Sequence, residues 1–414
     1  MAVSVYVLND RLIDLYSING AALSTLIVIS FFSGALLSTI GIMGIYLARI
    51  FEQTKGRTRY VIKDIKDYKN KAYLKIARNF RRYGWIYLLL FGPSPRTSNA
   101  FAKNRAHDLK ELNTGDLYKP YATSLRMGDL GYISHAQDSL NISYNSLEDY
   151  YLDLKNALNT SYEQYKEIGE FKNGKRIQLN SSIIQIENEY YSTIRPKRVC
   201  PSGERPINVL REEGIDYLEL RCIDLNPNSH IGITEEQIYF LDLLILYCFF
   251  MDSPEITTEE SNELFKTHKT IVNEGRKPDA TINTLEGNST VRKSALEIIS
   301  GMEEIAIFMD QEVVQDGNNS WFEKIQDKRE MVNDLDLSLS GSLLKEIKEK
   351  DTSFQEYSMK LSLQHHEKLN SMPESETHNF DEVARNSLNE AKNIEQAGQA
   401  DFEVYLKEFL SKIS

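Results

Sequence analysis

The stretch Gly214–Pro227 reads GIDYLELRCIDLNP and predicts a β-strand with two unlike faces. Successive side chains of a strand point to opposite faces. One face is apolar and typical of a core: Leu218, Leu220 and Cys222. The other face carries an aromatic, an acidic and a basic side chain: Tyr217, Glu219 and Arg221. A carboxylate and a guanidinium therefore lie about 6–7 Å apart along one strand, and this pair needs a chemical reason.

Residues 184–190 show a similar alternation and predict a second strand with an acidic face. Its apolar and polar sets are Ile184, Ile186, Asn188 and Tyr190 against Gln185, Glu187 and Glu189. Upstream, Asn173-Gly174 is a strong signal for a tight hairpin turn. Downstream, the sequence IRPKR adds three cations: Arg195, Lys197 and Arg198.

The predicted strands combine acids with arginines. Carboxylates without nitrogen or sulfur ligands suit hard cations such as Mg²⁺, and arginines grip phosphates and carboxylates with paired hydrogen bonds. This combination predicts a nucleotide-using site. The chain contains no GxxxxGK[ST] and no GxGxxG, so a P-loop is not expected. The alternative is a solvated sheet face with surface ion pairs, which contribute little.

The composition limits the classes of function. A chain of 414 residues is long enough for two or three domains and a large core. Its 60 acidic against 48 basic residues argue against general nucleic-acid binding. The three cysteines show no metal-binding spacing, which indicates a reducing compartment and no zinc site. Cys222 and Cys248 fit small buried hydrophobes.

The N-terminal part differs from the rest of the chain. No charged residue occurs from Tyr16 to Ala48, and the apolar run at 21–48 is long enough to cross a bilayer. The alternative is a buried helix of a soluble protein. Basic residues follow the run, from Arg49 to Lys71, so the C-terminal side is expected in the cytoplasm. These patterns predict a protein anchored in a lipid bilayer by residues 21–48.

Most of the remaining chain has helical patterns. Residues 72–91 predict a helix followed by a short buried apolar run, and 145–158 predict another helix. The run 240–251 is too short for a membrane and predicts a buried helix. Residues 296–309 carry one apolar stripe, and 312–414 are charged and mainly helical.

Five segments together resemble bacterial glutamate–cysteine ligase, also called γ-glutamylcysteine synthetase. They are FGPSP (91–95), PYATSLRMGDLGY (120–132), QIENEYYSTIRPKR (185–198), GIDYLELRCIDLNP (214–227) and EGRKP (274–278). The likeness runs from about Tyr73 to the C-terminus. It implies that ATP phosphorylates the γ-carboxylate of L-glutamate and that the amine of L-cysteine then attacks. It also implies an α+β fold with part of a funnel-shaped antiparallel sheet, similar to glutamine synthetase, and a helical C-terminal region.

The resemblance divides the chain and assigns roles to residues. The expected parts are a transmembrane-like segment (1–56), a basic linker (57–72) and a ligase region (73–414), with substrate-lining strands at 73–234 and helices at 235–414. Glu219 resembles a ligand of Mg²⁺, which Mn²⁺ could replace, and Arg221 resembles a contact to the transferred phosphoryl group. Arg126 resembles the arginine that binds glutamate. The other implied contacts are Tyr132 in the cysteine pocket, Tyr191, Glu187 and Arg195 at the substrates, and Arg198 at the nucleotide.

The chain departs from this family at its N-terminal side. The family's long N-terminal portion, with an early Glu-Arg-Glu motif, further carboxylates and a histidine, has no counterpart before Tyr73. There the acids are Asp10, Asp14, Glu52, Asp64 and Asp67. We therefore expect a poor ligase, or a membrane-tethered binding protein without catalysis. A natural fusion, a rearranged gene and an assembly error would each explain the N-terminal segment, and without it the protein is expected in the cytoplasm. The sequence does not indicate an oligomeric state.

Overall fold

The core is built around helix α2 (Trp85–Phe91), in which all seven side chains are buried. A computed structural model describes residues 59–413, except 113–114, 132–133, 139, 313–319, 372–373 and 399–400. Tyr87 and Phe91 of α2 pack against Phe240, with ring centroids 6.4 and 5.2 Å away. Residues 67–414 form one compact unit. The short apolar run predicted to end at Phe91 is therefore core, as expected.

Helices make up most of the described chain. Besides α2, they are α1 (Arg59–Tyr83), α3 (Asn99–Ala102), α4 (Leu147–Asn159), α5 (Glu163–Ile168), α6 (Pro206–Glu213), α7 (Glu235–Phe250), α8 (Thr258–Glu274), α9 (Val291–Glu312), α10 (Trp321–Asn333), α11 (Leu339–Lys350), α12 (Phe354–Asn370), α13 (Glu374–Gln396) and α14 (Phe402–Ser411). Single 3₁₀ turns span Leu125–Met127, His135–Gln137, Glu187–Glu189 and Leu335–Leu337.

The helices predicted from apolar spacing are confirmed. Ser146 caps α4 by accepting a hydrogen bond from the Asp149 amide. Thr234 and Gln237 form a capping box at the start of α7, which corresponds to the helix predicted at 240–251. The stripe predicted at 296–309 lies on α9, where Ile299, Met302 and Ala306 are fully buried.

The β-structure consists of short antiparallel groups. The strands are β1 (Arg96–Thr97), β2 (Lys110–Glu111), β3 (Leu117–Tyr118), β4 (Phe171–Lys172), β5 (Lys175–Arg176), β6 (Ile194–Lys197), β7 (Tyr217–Leu220), β8 (Thr281–Thr284) and β9 (Gly287–Thr290). They pair in the order β1-β3-β2 and as the pairs β4-β5, β6-β7 and β8-β9. Within the described residues these groups do not join into the continuous curved sheet that the resemblance implies.

The Asn173-Gly174 hairpin is confirmed between β4 and β5. Both turn residues have positive φ angles, 53° and 75°, as a type I′ turn requires.

No helix in the described part of the chain combines the length and the apolar composition that a membrane crossing needs. The predicted span, residues 21–48, lies outside the described residues. Membrane anchoring through it therefore stays a prediction.

Candidate functional site: a cation-rich strand face

The register of β6 and β7 explains the two faces of the opening stretch. Directly opposed residues of an antiparallel pair share a face. Pro196 opposes Leu218 and Ile194 opposes Leu220, so these residues form the apolar face, and both leucines pack on the core. Beyond the strand, Cys222 is fully buried. The apolar face that alternation predicted is confirmed.

The opposite face of this pair gathers cations around Glu219. Arg195 opposes Glu219 and reaches its carboxylate with Nη2 at 3.0 Å. Lys197 Nζ and Arg221 Nη1 lie 3.9 and 3.8 Å from the same oxygen. We call Arg195, Lys197, Glu219 and Arg221 the cation-rich face. With one carboxylate against three cations, it carries a net positive charge.

The surroundings of Glu219 shift its titration. Partial burial alone would raise the pKa of Glu219, but the hydrogen bond and charge of Arg195, with Lys197 and Arg221, lower it overall. Burial lowers the pKa of Lys197, and the charge of Arg195 lowers it further. The carboxylate is thus held ionised, and the face keeps an excess of positive charge that attracts an anion.

The described residues do not fit a bare magnesium ion at Glu219. A divalent cation there would meet a single carboxylate and three positive side chains. Nowhere in the described ranges do three His, Cys, Asp or Glu side chains come together as a metal site. The ligand set favours an anion.

Arg126 lies beside this face. The 3₁₀ turn Leu125–Met127 carries it, and the Ser124 hydroxyl caps that turn by accepting from the Met127 amide. Arg126 Nη2 donates to the carbonyls of Arg221 and Ile223 at 3.2 and 3.1 Å, and Nε donates to Asp224. Two predicted site arginines, 95 residues apart in the chain, are therefore neighbours.

Gly131 explains part of the local sequence SLRMGDLG. A Cβ atom at this position would lie 2.0 Å from the Arg126 carbonyl oxygen and 2.7 Å from its carbon. Because this obstacle is backbone, it has no side-chain rotamer that relieves it. The turn that carries Arg126 therefore requires glycine at 131.

The prediction of a second strand at 184–190 is wrong. Glu187–Glu189 form a 3₁₀ turn, and the strand that pairs with β7 begins at Ile194. The Glu187 carboxylate turns inward and forms a buried, two-point ion pair with Arg205, at 3.0 and 2.9 Å. This inward contact breaks the alternation that a strand would need. It also gives Glu187 a structural partner in place of the solvent-facing position expected for a substrate ligand.

Arg195 connects that turn to the cation-rich face. Its Nη1 donates to the carbonyls of Glu187, Asn188 and Tyr190 at 3.3, 3.2 and 2.9 Å, while Nε and Nη2 hold Glu219. The guanidinium is buried. In this arrangement Arg195 contributes charge to the face and fixes Glu219.

Arg198 lies past the end of β6 and holds the return of the chain into β7. It donates to the Glu213 carboxylate at 2.8 Å, to the Gly214 carbonyl at 3.1 Å and to Asp216 at 3.2 Å. Through these contacts, Arg198 is bonded to the loop before β7. Its expected nucleotide contact stays a prediction.

Tyr191 lines a cleft of about 170 Å³ next to the strand pair. Gln137 places the tyrosine, since its side chain donates to the Glu189 carbonyl at 2.7 Å and accepts from the Tyr191 amide at 3.0 Å. Thr193, which accepts from the Arg221 amide, also lines the cleft and connects it to the cation-rich face. The remaining lining includes Phe80, Arg81, Trp85, Asp138, Phe265 and His268. Tyr132 lies outside the described residues.

His268 lines one part of this cleft. Burial lowers the pKa of His268, and its Nε2 donates to the Met127 carbonyl at 2.9 Å. Because Met127 follows Arg126 directly, this bond also fixes the turn beside the arginine.

Sequence reasoning missed three residues that shape the site. Asp224 accepts a hydrogen bond from Arg126, and Arg205 forms an ion pair that holds Glu187 in the interior. Gln137 hydrogen-bonds the backbone at Tyr191. Asp224 lies two residues beyond the apolar face, in the sequence DLNP, which is the one local signal that could have marked it. The partner of Arg205 lies 18 residues away and the partners of Gln137 lie 52 and 54 residues away, so neither leaves a periodic pattern.

The comparisons with known proteins concern the family and the fold of the chain. The family model described as glutamate-cysteine ligase matches residues 47–271. The glutamate–cysteine ligase of Pseudomonas entomophila is 38% identical over 351 residues, which cover 84% of this chain and 66% of that protein. That of Azotobacter vinelandii is 36% identical over 366 residues, or 88% of this chain and 68% of that protein. The chain thus spans about two thirds of the length of these relatives.

A solved structure shows the same fold over most of the chain. The glutamate–cysteine ligase of Francisella tularensis, determined in complex with AMP, superposes with a TM-score of 0.76 at 26% identity. The match covers 85% of this chain and 70% of that protein. Fold and site thus define a helix-rich α/β protein with an anion-attracting strand face. The chain belongs to the glutamate–cysteine ligase family.

Proposed function

We propose that this protein acts as a glutamate–cysteine ligase, the first step of glutathione biosynthesis. The γ-carboxylate oxygen of L-glutamate attacks the γ-phosphorus of ATP, and ADP leaves. The amine of L-cysteine then attacks the acyl carbon of the γ-glutamyl phosphate, loses a proton and releases phosphate. The product is γ-glutamylcysteine.

The observation that carries the proposal is the contact between Arg126 and the main chain of Arg221. It brings a third guanidinium, beside those of Arg195 and Arg221, to the edge of the cation-rich face. The reaction joins two anionic groups, a carboxylate and a triphosphate, whose mutual repulsion must be offset. Preorganised cations do this most effectively where negative charge develops. We assign the glutamate carboxylate to Arg126 and the transferred phosphoryl group to Arg221.

The cleft beside Tyr191 is the proposed place of the amino-acid acceptor. It opens next to Thr193, directly across from Arg221, so an acceptor held there lies beside the phosphoryl position. Tyr191 is partly exposed and presents an aromatic wall. Tyr132 is proposed to complete this pocket, as the resemblance implies.

Glu219 is proposed to act on ATP together with its magnesium. Magnesium in nucleotide sites is commonly held by one or two carboxylates plus the phosphates. The described residues do not hold the bare ion, so we propose it only as a partner that arrives with ATP. We also infer from the family resemblance that β6 and β7 belong to a larger curved sheet, although within the described residues they pair only with each other.

A second proposal is substrate binding without turnover, tethered to a membrane through residues 21–48. The three cations that already surround Glu219 favour it, because they bind anions without any metal. Glutamate and ATP would then bind with no product formed.

The test uses the purified full chain with L-glutamate, L-cysteine and ATP. ADP release and the mass of γ-glutamylcysteine report turnover, and calorimetry reports binding. Arg126→Ala should weaken glutamate binding by about ten-fold or more, since hydrogen bonds to charged groups contribute about 1.5–3 kcal/mol. The matched control is Arg329→Ala. Arg329 has the same 39% exposure as Arg126 and pairs with Glu303, a residue of α9.

Glutamate and ATP binding with product formation supports the ligase. Binding of both without product supports the second proposal. Absence of glutamate binding, or equal loss in Arg126→Ala and Arg329→Ala, would overturn both.

A further inference from the structure

A buried carboxylate lies beneath Arg126 and accepts hydrogen bonds from two segments that are far from it in the sequence. Asp224 is only 4% exposed. Its Oδ2 accepts hydrogen bonds from the hydroxyls of Ser94 at 3.0 Å and Ser124 at 2.6 Å, and its Oδ1 accepts from Arg126 Nε. Ser94 belongs to FGPSP, whereas Ser124 and Arg126 belong to the one segment that forms the 3₁₀ turn. One carboxylate therefore ties together segments that are far apart in the sequence.

Arg126 is fixed along the whole inner edge of its guanidinium. Besides Asp224, the carbonyls of Arg221 and Ile223 accept from its Nη2. Its side chain is nevertheless 39% exposed, so the guanidinium reaches the surface while its anchor stays buried. An arginine held in this way meets an anionic ligand in one orientation.

We propose that Asp224 is the positioning residue of Arg126, an inference that rests on the proposed function. Asp224 itself is too deeply buried to touch a substrate. A free arginine side chain loses conformational freedom when a ligand immobilises it, and this loss weakens binding. Asp224 removes most of that freedom before glutamate arrives, and the two serine hydroxyls keep the carboxylate from rotating. Glutamate then binds an arginine that is already oriented.

The chemistry of the pair separates the roles of charge and geometry. An asparagine at 224 has one acceptor oxygen, which can still face Arg126 Nε. Its amide then faces the two serine hydroxyls, which can turn to accept. Asp224→Asn therefore keeps the geometry and removes the charge, whereas Asp224→Ala removes both.

The first measurement is a double-mutant cycle on glutamate affinity in the full chain. Asp224→Ala and Arg126→Ala should each raise the dissociation constant about ten-fold or more. If Asp224 acts through Arg126, the double variant should bind no worse than Arg126→Ala alone. Asp224→Asn should recover a large part of the affinity. The control is Glu303→Gln, which breaks an arginine–carboxylate pair between α9 and α10 and should leave glutamate affinity unchanged.

The second measurement does not depend on any substrate. Nuclear magnetic resonance of the arginine side chains reports solvent exchange of the Arg126 Nε proton. This exchange should be slow in the wild type and in Asp224→Asn, and fast in Asp224→Ala. Thermal unfolding of each variant shows whether the chain remains folded. If the alanine variant unfolds, Ser94→Ala carries the comparison, because it removes one hydrogen bond that holds the Asp224 carboxylate and should speed Nε exchange relative to the wild type.

The outcomes separate this inference from the proposed function. Multiplicative losses in the cycle, or slow Nε exchange in a folded Asp224→Ala, would overturn the positioning role while leaving the ligase proposal in place. A wild-type chain that does not bind glutamate overturns the ligase proposal and the positioning role with it. A non-additive cycle with exchange that follows Asp224 supports the inference.

Discussion

The buried ion pair between Glu187 and Arg205 makes a structural role for Glu187 testable. Arg205 is 1% exposed and Glu187 is 8% exposed. Arg205 Nε and Nη2 both bind the carboxylate, and the ring of Phe409 lies 4.3 Å from the guanidinium carbon. Among the described residues, none accepts a hydrogen bond from Arg205 Nη1. Burial lowers the pKa of Arg205, but the group stays charged and needs its counter-ion.

Removing the counter-ion should therefore be costly. Breaking a buried ion pair by replacing one partner costs about 3–5 kcal/mol, because the other charge stays buried and uncompensated. Glutamine at 187 keeps one acceptor oxygen, so we expect Glu187→Gln to lower the free energy of unfolding by about 3 kcal/mol. The double variant Glu187→Leu/Arg205→Leu should be less destabilised than either charge-breaking single variant. Since Phe409 lies on α14, that helix should also exchange its amides faster.

Urea unfolding of the full chain measures this difference as a shift of the midpoint at constant slope. The control is Glu204→Gln, which removes an exposed carboxylate 3.0 Å from Lys412 and should cost less than about 1 kcal/mol. Equal midpoints for Glu187→Gln, Glu204→Gln and wild type would refute the reasoning. Glu187 would then return to the candidates for a substrate contact.

Three further predictions concern the strand face, a buried lysine and the N-terminal segment. Without magnesium, Glu219→Gln should bind ATP several-fold more tightly than the wild type, because the three cations lose the carboxylate that they share, and Arg221→Ala should bind it more weakly. Calorimetry in the presence of a chelator measures both affinities. Identical affinities in all three proteins would contradict ATP binding at the cation-rich face. Leu218→Ala is the folding control and should cost about 1–2 kcal/mol, less than a fully buried leucine. Lys328 is 2% exposed beside Glu236, and burial lowers its pKa to about 8. The folded state thus releases its proton before the unfolded state does, so stability gains from this group as pH rises from about 8 to 10.5. The Lys328→Met variant should be about 1–2 kcal/mol more stable than the wild type at pH 7. Thermal melts should show this difference shrinking between pH 8 and 10.5, and a difference that does not change with pH would contradict the lowered pKa of Lys328. If residues 21–48 cross a bilayer, carbonate washing should leave the full chain in the membrane fraction, and its release would exclude that anchor.

Local patterns were sufficient for much of the fold. The strand at 217–220 with its two faces, the Asn173-Gly174 turn and the apolar stripe of α9 all follow from spacing within a few residues. Such periodicity reflects which side of an element meets the core, and that information is carried by neighbouring residues. It made Arg221 and Glu219 visible as site candidates.

The same local reasoning failed where the partner of a side chain is distant. The alternation at 184–190 imitates a strand, but Arg205 draws Glu187 inward and the segment closes into a 3₁₀ turn. Arg126 became a site candidate only through the family resemblance, and its neighbour Asp224 was not predicted at all. Ion pairs across about 100 residues follow from tertiary packing, which no window of sequence contains.

The strict alternation of β6 and β7 limits which insertions and deletions the chain can tolerate. Removing one residue within 193–197 or 217–221 would shift the pairing by one position, and a shift of one exchanges the two faces of a strand. Isoleucine and leucine would then face solvent while arginine and glutamate faced the core. Length changes in the connection between the two strands leave this parity intact. Related chains should therefore vary in length between the strands far more readily than inside them.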